Sequence, residues 1–422
     1  MKDMILKNAR VIDPARGIDS VGDIAISNGV VVEASQVGDA EVIDLTGKIV
    51  SPGFIDVHVH LRQPGNTAAE TVATGTMAAA AGGFTSIVAM PNTTPAADNA
   101  GAIELLKRTA LEQGVVRVLA CGNMTKGGKG EEMAGIGSLK AAGVVALSDD
   151  GKCIQDHALM RHVVEYAKSF DLPILDHCEE KTLAAGGVMH EGKWSVLLGI
   201  NGISSASEEL MVARNIILAR QIDWKIHMQH ISAAESVELL RRARKAGIKV
   251  TGEATPHHIT LTDQCIKKFD TNYKMNPPLR SEADRLAVIE GLADGTLTAI
   301  ATDHAPHTQT AKMVEFDHAP FGIIGLETAF PLCFTELVTK GVLTIPQLIE
   351  KFTTGPADIL GMKDYSLAPG NAADIAVIDP EAKWTIDKNE FYSKARNTPF
   401  DGFEVQGRVI MTVVGGKVVF RR

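Results

Sequence analysis

The residues able to do chemistry first appear in Asp56-Val57-His58-Val59-His60-Leu61-Arg62, at the end of an apolar run that begins near Ile49. In an extended strand alternate side chains share a face, so His58 and His60 project together, as two ligands of one cation must. Alone, a His-x-His pair is short enough to be two ordinary histidines. The same residue types recur, however, at the ends of later apolar runs: Asp149-Asp150, Asp176-His177, His227 with Gln229 and His230, and Asp303-His304. Imidazole nitrogens and carboxylate oxygens together suit zinc, and a zinc centre with an open position is a hydrolytic one. Any one of these residues could be a satisfied core histidine or a turn aspartate. Their shared place at successive strand ends is what points to a metal hydrolase.

Something must bring those ends together. From about residue 50 to 360, short apolar strands alternate with longer helical stretches, the pattern of βα units around a parallel sheet. Eight strands are predicted near 54–60, 84–90, 115–121, 144–149, 173–177, 225–230, 248–253 and 297–303. Helices are predicted between them, over 68–81, 101–112, 159–170, 207–219, 233–246 and 281–292. Eight such pairs argue for a (β/α)8 barrel, in which every C-terminal strand end opens on one mouth. The flanks differ: Met4-Ile5-Leu6, Asp23 to Ile26, Gly29 to Val32, Ala373 to Ile378 and Val409 to Phe420 read as short strands separated by turns, with Asn28-Gly29 a hairpin signal. Neither flank can bury much core by itself, so residues 1–52 and 359–422 are expected to pair into one small β domain around a catalytic barrel at 53–358.

Composition narrows the function. The 422 residues are 45% hydrophobic and 22% charged, with a net charge of -9 and no dense Lys/Arg stretch. That excludes a nucleic-acid surface in favour of a small-molecule substrate. Five scattered cysteines without a Cys-x-x-Cys pair suggest neither a disulfide framework nor a thiolate zinc site, and fit a reducing cytoplasm. No signal-peptide core and no run of about 18 apolar residues is present, so no membrane association is expected. Gly127-Gly128-Lys129-Gly130 lacks the spacing of a phosphate loop and reads as a turn.

The chain resembles the dihydroorotases of the amidohydrolase superfamily. His58 to Arg62, Met90-Pro91-Asn92-Thr93, Ser148 to Gly151, Asp176-His177-Cys178-Glu179, Thr255-Pro256-His257-His258, Met275 to Arg280 and Ala301 to His307 carry the resemblance, in order and over nearly the whole length. It is most similar to the longer bacterial type, which implies a (β/α)8 TIM barrel carrying a small β-sandwich built from both termini. The implied reaction is reversible closure of N-carbamoyl-L-aspartate to L-dihydroorotate in pyrimidine (UMP) biosynthesis. By the same resemblance His58 and His60 hold one zinc, His177 and His230 a second, and Asp303 is both a metal ligand and the catalytic acid–base. Many superfamily members bridge the metals with a carboxylated lysine. This chain offers Asp150 there, as the dihydroorotases most like it do, with Asp149 the competing choice; two zinc ions are expected and one remains an alternative.

For substrate, the resemblance places Arg62, Asn92 and His307 on a carboxylate, and Asn276 with the backbone at Phe321-Gly322 on the ring; His60 lies beside them. Arg62 suits a carboxylate because its guanidinium is a planar fork of donors. Asn92 and Asn276 have plainer readings as turn residues beside prolines, and 305–320, poor in apolar residues, reads as a mobile lid. His257 and His258 are expected to be structural. Two other functions fit the same sequence: another cyclic amidase (hydantoinase, dihydropyrimidinase or allantoinase), or a silent subunit supporting aspartate transcarbamoylase. Association with that enzyme, or a homodimer, is a further implication. The first alternative lacks a reason for Arg62, Asn92 and His307; the second would lose metal ligands, and none is missing.

Overall fold

In the computed structural model, which describes residues 3–422, the N-terminal flank forms β1 (Met4–Asp13), β2 (Ile18–Ser27), β3 (Val30–Val32), β4 (Glu41–Asp44) and β5 (Ile49–Pro52). Asn28 and Gly29 join β2 to β3 with φ of 50° and 84°, the double positive φ that a tight hairpin demands and that Asn-Gly tolerates. After β5 the chain enters the barrel through β6 (Phe54–Val59), β7 (Phe84–Ala89), β8 (Arg117–Gly122), β9 (Ala146–Leu147) and β10 (Ile174–Asp176). A two-stranded excursion, β11 (Met189–His190) and β12 (Gly202–Ile203), precedes β13 (Ile226–Met228), β14 (Val250–Ala254) and β15 (Ala299–Ile300). The barrel strands run parallel in the order β6-β7-β8-β9-β10-β13-β14-β15. The ring closes where Val59 bridges His304 and the His60 amide donates to the His304 carbonyl at 2.9 Å.

The strands are short and buried almost throughout because both faces are covered, as parallel sheets require. Ile55, Val57, Val88, Cys121, Ala146, Leu175, Ala299 and Ala301 pack together inside, while Phe54, Phe84 and Ile87 meet the outer helices. Those helices begin at residues whose side chains accept free amides: Thr71, Asn99, Asp156 and Ser281 take N–H groups at the starts of Val72–Ala81, Ala100–Gln113, His157–Ser169 and Glu282–Ala293. One irregularity matters for chemistry. Register shifts between Asp56 and Val59, so three residues of β6 span two of β7, and His58 turns inward although its neighbour Val57 does so too.

The C-terminal flank supplies β16 (Ile375–Thr385), β17 (Glu404–Val414) and β18 (Lys417–Arg421). These join β1 to β5 in one sheet, ordered β18-β17-β16-β5-β1-β2-β3 with β4 beside β1. It has its own core of Leu6, Val11, Ile26, Val50, Ile375, Val377 and Met411. Contacts tie it to the barrel: Arg117 forks onto Asp374 at 2.8 and 3.1 Å, and the Thr412 hydroxyl donates to the Ala80 carbonyl at 2.7 Å. No helix among the described residues is long and apolar enough to cross a membrane.

Candidate active site

At the C-terminal mouth of the barrel a cavity of about 240 Å³ is lined by His60, Arg62, Asn92, Asp150, His177, His230, Asn276, Asp303, His307, Phe321 and Gly322. Every pocket residue predicted from the sequence is there, and His58 lies just beneath, fully buried.

Asp150 is the hub. Its Oδ1 stands 3.2 Å from His58 Nε2, 3.9 Å from His177 Nδ1 and 4.0 Å from His230 Nε2, and its Oδ2 is 3.4 Å from His60 Nε2. Asp303 Oδ1 approaches from the other side, 3.1 Å from His60 Nε2 and 3.5 Å from His58 Nε2. Two groups of donors result, His58–His60–Asp150 and Asp150–His177–His230, with the ligand atoms of each within 4.8 Å of one another. Asp149 points away. Its Oδ1 accepts from Asn123 Nδ2 and from the Met124 and Thr125 amides at 3.0, 2.9 and 3.2 Å, so it holds the preceding loop and leaves the shared position to Asp150.

The buried nitrogen His58 Nε2 has no hydrogen-bond partner although it faces two carboxylates, and His177 Nδ1 and His230 Nε2 face each other at 2.9 Å. Nitrogen and oxygen lone pairs converging in this way fit a cation, and the donor set of imidazoles around one shared carboxylate suits zinc. The charges favour the same state. Burial alone opposes ionisation of Asp150, but His58, His60 and His177 outweigh it and hold its carboxyl well below the usual range. Burial, with His177 and His58 nearby, pushes His230 well below an ordinary histidine, keeping it the neutral imidazole a metal needs. His58 goes the other way: burial resists its charge, but Asp150 and Asp303 raise it well above normal.

Residues that the sequence reading passed over fix the ligands from behind. Glu253, on β14 and fully buried, puts Oε1 3.1 Å from His58 Nδ1 and Oε2 2.9 Å from His227 Nε2, and also accepts the His230 amide at 3.2 Å. Burial opposes its ionisation, yet His227 and His58 bring its carboxyl down to about 2. An ionised acceptor at Nδ1 sets the His58 tautomer so that Nε2 faces the cluster. Hence His227, a strand-end histidine, lies below the cavity and not on it. Asp176 turns outward, to Arg214 and Asn215 at 2.8 and 2.7 Å. His304 bridges Glu70 at 3.3 Å and accepts the Gly325 amide at 3.1 Å. No spacing in the sequence marks Glu253 or Glu70, because each meets its partner only across the barrel. His257 and His258 sit buried in the short helix Pro256–Thr260, and the His258 ring is taken up by Thr255 Oγ1 at 2.8 Å and the Pro277 carbonyl at 3.1 Å.

Around the cluster the polar groups are partly committed. Arg62, at φ 57°, gives Nε to the Pro306 carbonyl at 3.1 Å. Asn92 accepts from His60 Nδ1 at 2.9 Å and donates to Asp150 Oδ2 at 3.2 Å. His307 donates Nε2–H to the Phe321 carbonyl at 2.7 Å, and burial, then Arg62 and Lys312, bring its pKa to about 3. Gly322 has φ 120°, and a Cβ there would stand 2.6 Å from Ala305 Cβ, so only glycine passes under that wall. The stretch 305–320 is pinned: Lys312 Nζ, buried, donates to the Thr271, Lys274 and Pro320 carbonyls at 3.0, 3.2 and 2.8 Å, and Phe316 is buried too.

A parallel barrel with imidazoles and carboxylates gathered at its C-terminal mouth, where they could hold a metal ion, defines the class as a hydrolase. Among solved structures the chain is similar to an L-hydantoinase (dihydropyrimidinase) from Arthrobacter aurescens, with a TM-score of 0.90 at 26% identity over 100% of this chain and 96% of that one. Sequence narrows the class further. Residues 47–236 match the model of a family described as dihydro-orotase-like. The chain is 49% identical to a dihydroorotase of Pelotomaculum thermopropionicum, over 99% of this chain and 98% of that one, and 47% identical to one of Acetivibrio thermocellus over 99% of each. This chain belongs to the dihydroorotase family.

Proposed function

We propose that this protein is a zinc-dependent dihydroorotase, interconverting N-carbamoyl-L-aspartate and L-dihydroorotate in cytoplasmic pyrimidine biosynthesis. The observation that carries the reading is Arg62: its guanidinium shares one cavity with the His/Asp cluster and with Asn92, as a ring carrying a carboxylate requires. The full-length similarity to dihydroorotases supports it.

His58 and His60 with Asp150 would hold one zinc, and Asp150 with His177 and His230 a second, with Asp303 beside the first. Bound there, zinc would polarise the ring amide and acidify water. The remaining work belongs to the chain. With Nε spent on Pro306, Arg62 keeps both Nη groups for the substrate carboxylate, where a bidentate pair also fixes orientation. Asn92 lends a second amide hydrogen. The backbone at Phe321 and Gly322 lies along the ring. In hydrolysis the Asp303 carboxylate takes a proton from the attacking water and delivers it to the ring nitrogen as the C–N bond breaks; in cyclisation the proton runs the other way. His307 reads differently from a simple donor: with Nε2–H on Phe321 its neutral ring leaves only a lone pair at Nδ1, so it can donate to an anion only when doubly protonated.

The hydantoinase-like alternative rests on a fold likeness at 26% identity, against 47–49% for the dihydroorotases. Turnover of L-dihydroorotate, hydantoin and dihydrouracil by the zinc-loaded protein tests the choice. Dihydroorotate is expected to be strongly preferred; equal or better turnover of the uncharged rings would overturn the reading.

A further inference from the structure

Asn276 lines the cavity, and its side-chain amide makes one hydrogen bond: Nδ2 donates to Glu179 Oε2 at 2.6 Å. Glu179 lies two residues after His177 and does not itself line the cavity. Its backbone is held in place, the carbonyl accepting Gln155 Nε2 at 3.0 Å while the next amide, of Glu180, donates to the Ser207 carbonyl at 2.9 Å. The same Oε2 stands 3.8 Å from His177 Nε2.

An asparagine amide is a donor at one end and an acceptor at the other, and nothing in its own shape decides which end faces a ligand. A carboxylate accepts and cannot donate. Glu179 does not line the cavity, so the NH2 end it captures is turned away from the ligand, and Asn276 Oδ1 is the end left towards the cavity. We infer that Glu179 is a positioning residue that sets Asn276 as a hydrogen-bond acceptor, so that the cavity selects a substrate presenting a ring N–H at this wall and disfavours one presenting a ring carbonyl. A cyclic imide or ureide carries both groups on one edge, so the polarity of this one amide fixes which way round the ring sits. This rests on the dihydroorotase reading and adds a specificity determinant to it.

The test compares Glu179→Leu, Glu179→Gln, Asn276→Asp and the double variant Glu179→Gln/Asn276→Asp, as zinc-loaded full-length protein with L-dihydroorotate. Releasing the amide in Glu179→Leu should raise KM about tenfold, the scale of one hydrogen bond, with kcat within about threefold and zinc content unchanged. A glutamine carbonyl still accepts Asn276 Nδ2–H, so Glu179→Gln should recover most of that loss. Asn276→Asp sets two carboxylates against each other and should raise KM more than Glu179→Leu does. The double variant rebuilds the pair in reverse: the introduced glutamine amide donates to the introduced carboxylate, whose other oxygen is left as an acceptor in the cavity. Its KM should therefore fall back below that of Asn276→Asp alone. If Glu179→Gln is as impaired as Glu179→Leu, or the double variant shows no recovery, the inference is overturned. Zinc loss or a pure kcat defect in Glu179→Leu overturns it too, since Glu179 would then act through His177. Should Glu179→Leu not fold, the other three variants decide alone. A wild-type protein inert towards dihydroorotate would instead defeat the functional reading, a different result from an active wild type with the wrong variant pattern.

Discussion

At the residue scale the two adjacent aspartates show how neighbours in sequence divide their work. Asp149 spends its oxygens on Asn123, Met124 and Thr125, while Asp150 stands among four histidines. Asp150→Ala is therefore expected to lower zinc content by elemental analysis, and Asp149→Ala to lower thermal stability with zinc largely retained; equal metal loss in both would remove the hub from Asp150. Asp303→Asn keeps the size of the side chain but cannot accept a proton. Its kcat should fall by roughly 10² to 10⁴, the usual worth of a positioned acid–base, with zinc retained. Arg62→Met removes a charge-assisted fork worth about 1.5–3 kcal/mol, so kcat/KM for dihydroorotate should fall about tenfold to more than a hundredfold. Dihydrouracil, without the carboxylate, should be equally poor with both proteins, and an equal loss on the two substrates would make Arg62 structural.

At the element scale the stretch 305–320 departs most from expectation. Its few apolar residues suggest a free lid, but Lys312 ties it to the segment around Thr271–Lys274 through two carbonyls and closes it on itself through the Pro320 carbonyl, and Lys274 Nζ in turn donates to the Phe316 and Asp317 carbonyls at 2.9 and 3.1 Å. A long polar side chain can anchor a loop from inside, which hydropathy does not register. Lys312→Met takes the side-chain donor from the Pro320 carbonyl and leaves the Thr271 and Lys274 carbonyls only the Lys274 and Gly322 amides, and should make the stretch more easily cleaved by protease, with a raised KM because His307 and Phe321 move with it. The pH dependence has a definite sign. Burial, with Lys274 close by, brings the Lys312 ammonium from 10.5 down to about 7. The unfolded chain thus binds more protons than the folded one between about pH 7 and 10.5, so this lysine's contribution to stability rises with pH across that window. The wild-type margin over Lys312→Met, measured by denaturant unfolding, should widen from pH 7 to pH 9; a constant margin would place the ammonium in an ordinary setting.

At the scale of the whole molecule the cluster joins β6, β9, β10, β13 and β15 across the barrel, so a metal there is a cross-link among distant parts of the chain. A cation that binds the folded state alone stabilises it by about 2.7 kcal/mol at a hundredfold excess over Kd. Chelation should therefore abolish activity and lower the melting temperature together, with both restored by zinc. A chelated protein of full activity would sink the metal reading.

Periodicity and chemistry are legible in the chain alone. Eight buried strands alternating with helices can be read because covered parallel strands are continuously apolar, and the strand ends can be read because polar residues interrupt those runs abruptly. His58, His60, Asp150, His177, His230 and Asp303 follow from that, with the resemblance assigning their roles. What depends on pairs far apart in the chain is settled only by folding: closure of the ring at Val59 and His304, the choice of Asp150 over Asp149, the support of His58 by Glu253 and of Asn276 by Glu179, and the anchoring of Lys312. A hydrogen bond across a barrel is set by register and strand tilt, and a one-residue shift such as that in β6 redirects a side chain without changing a letter of its local pattern.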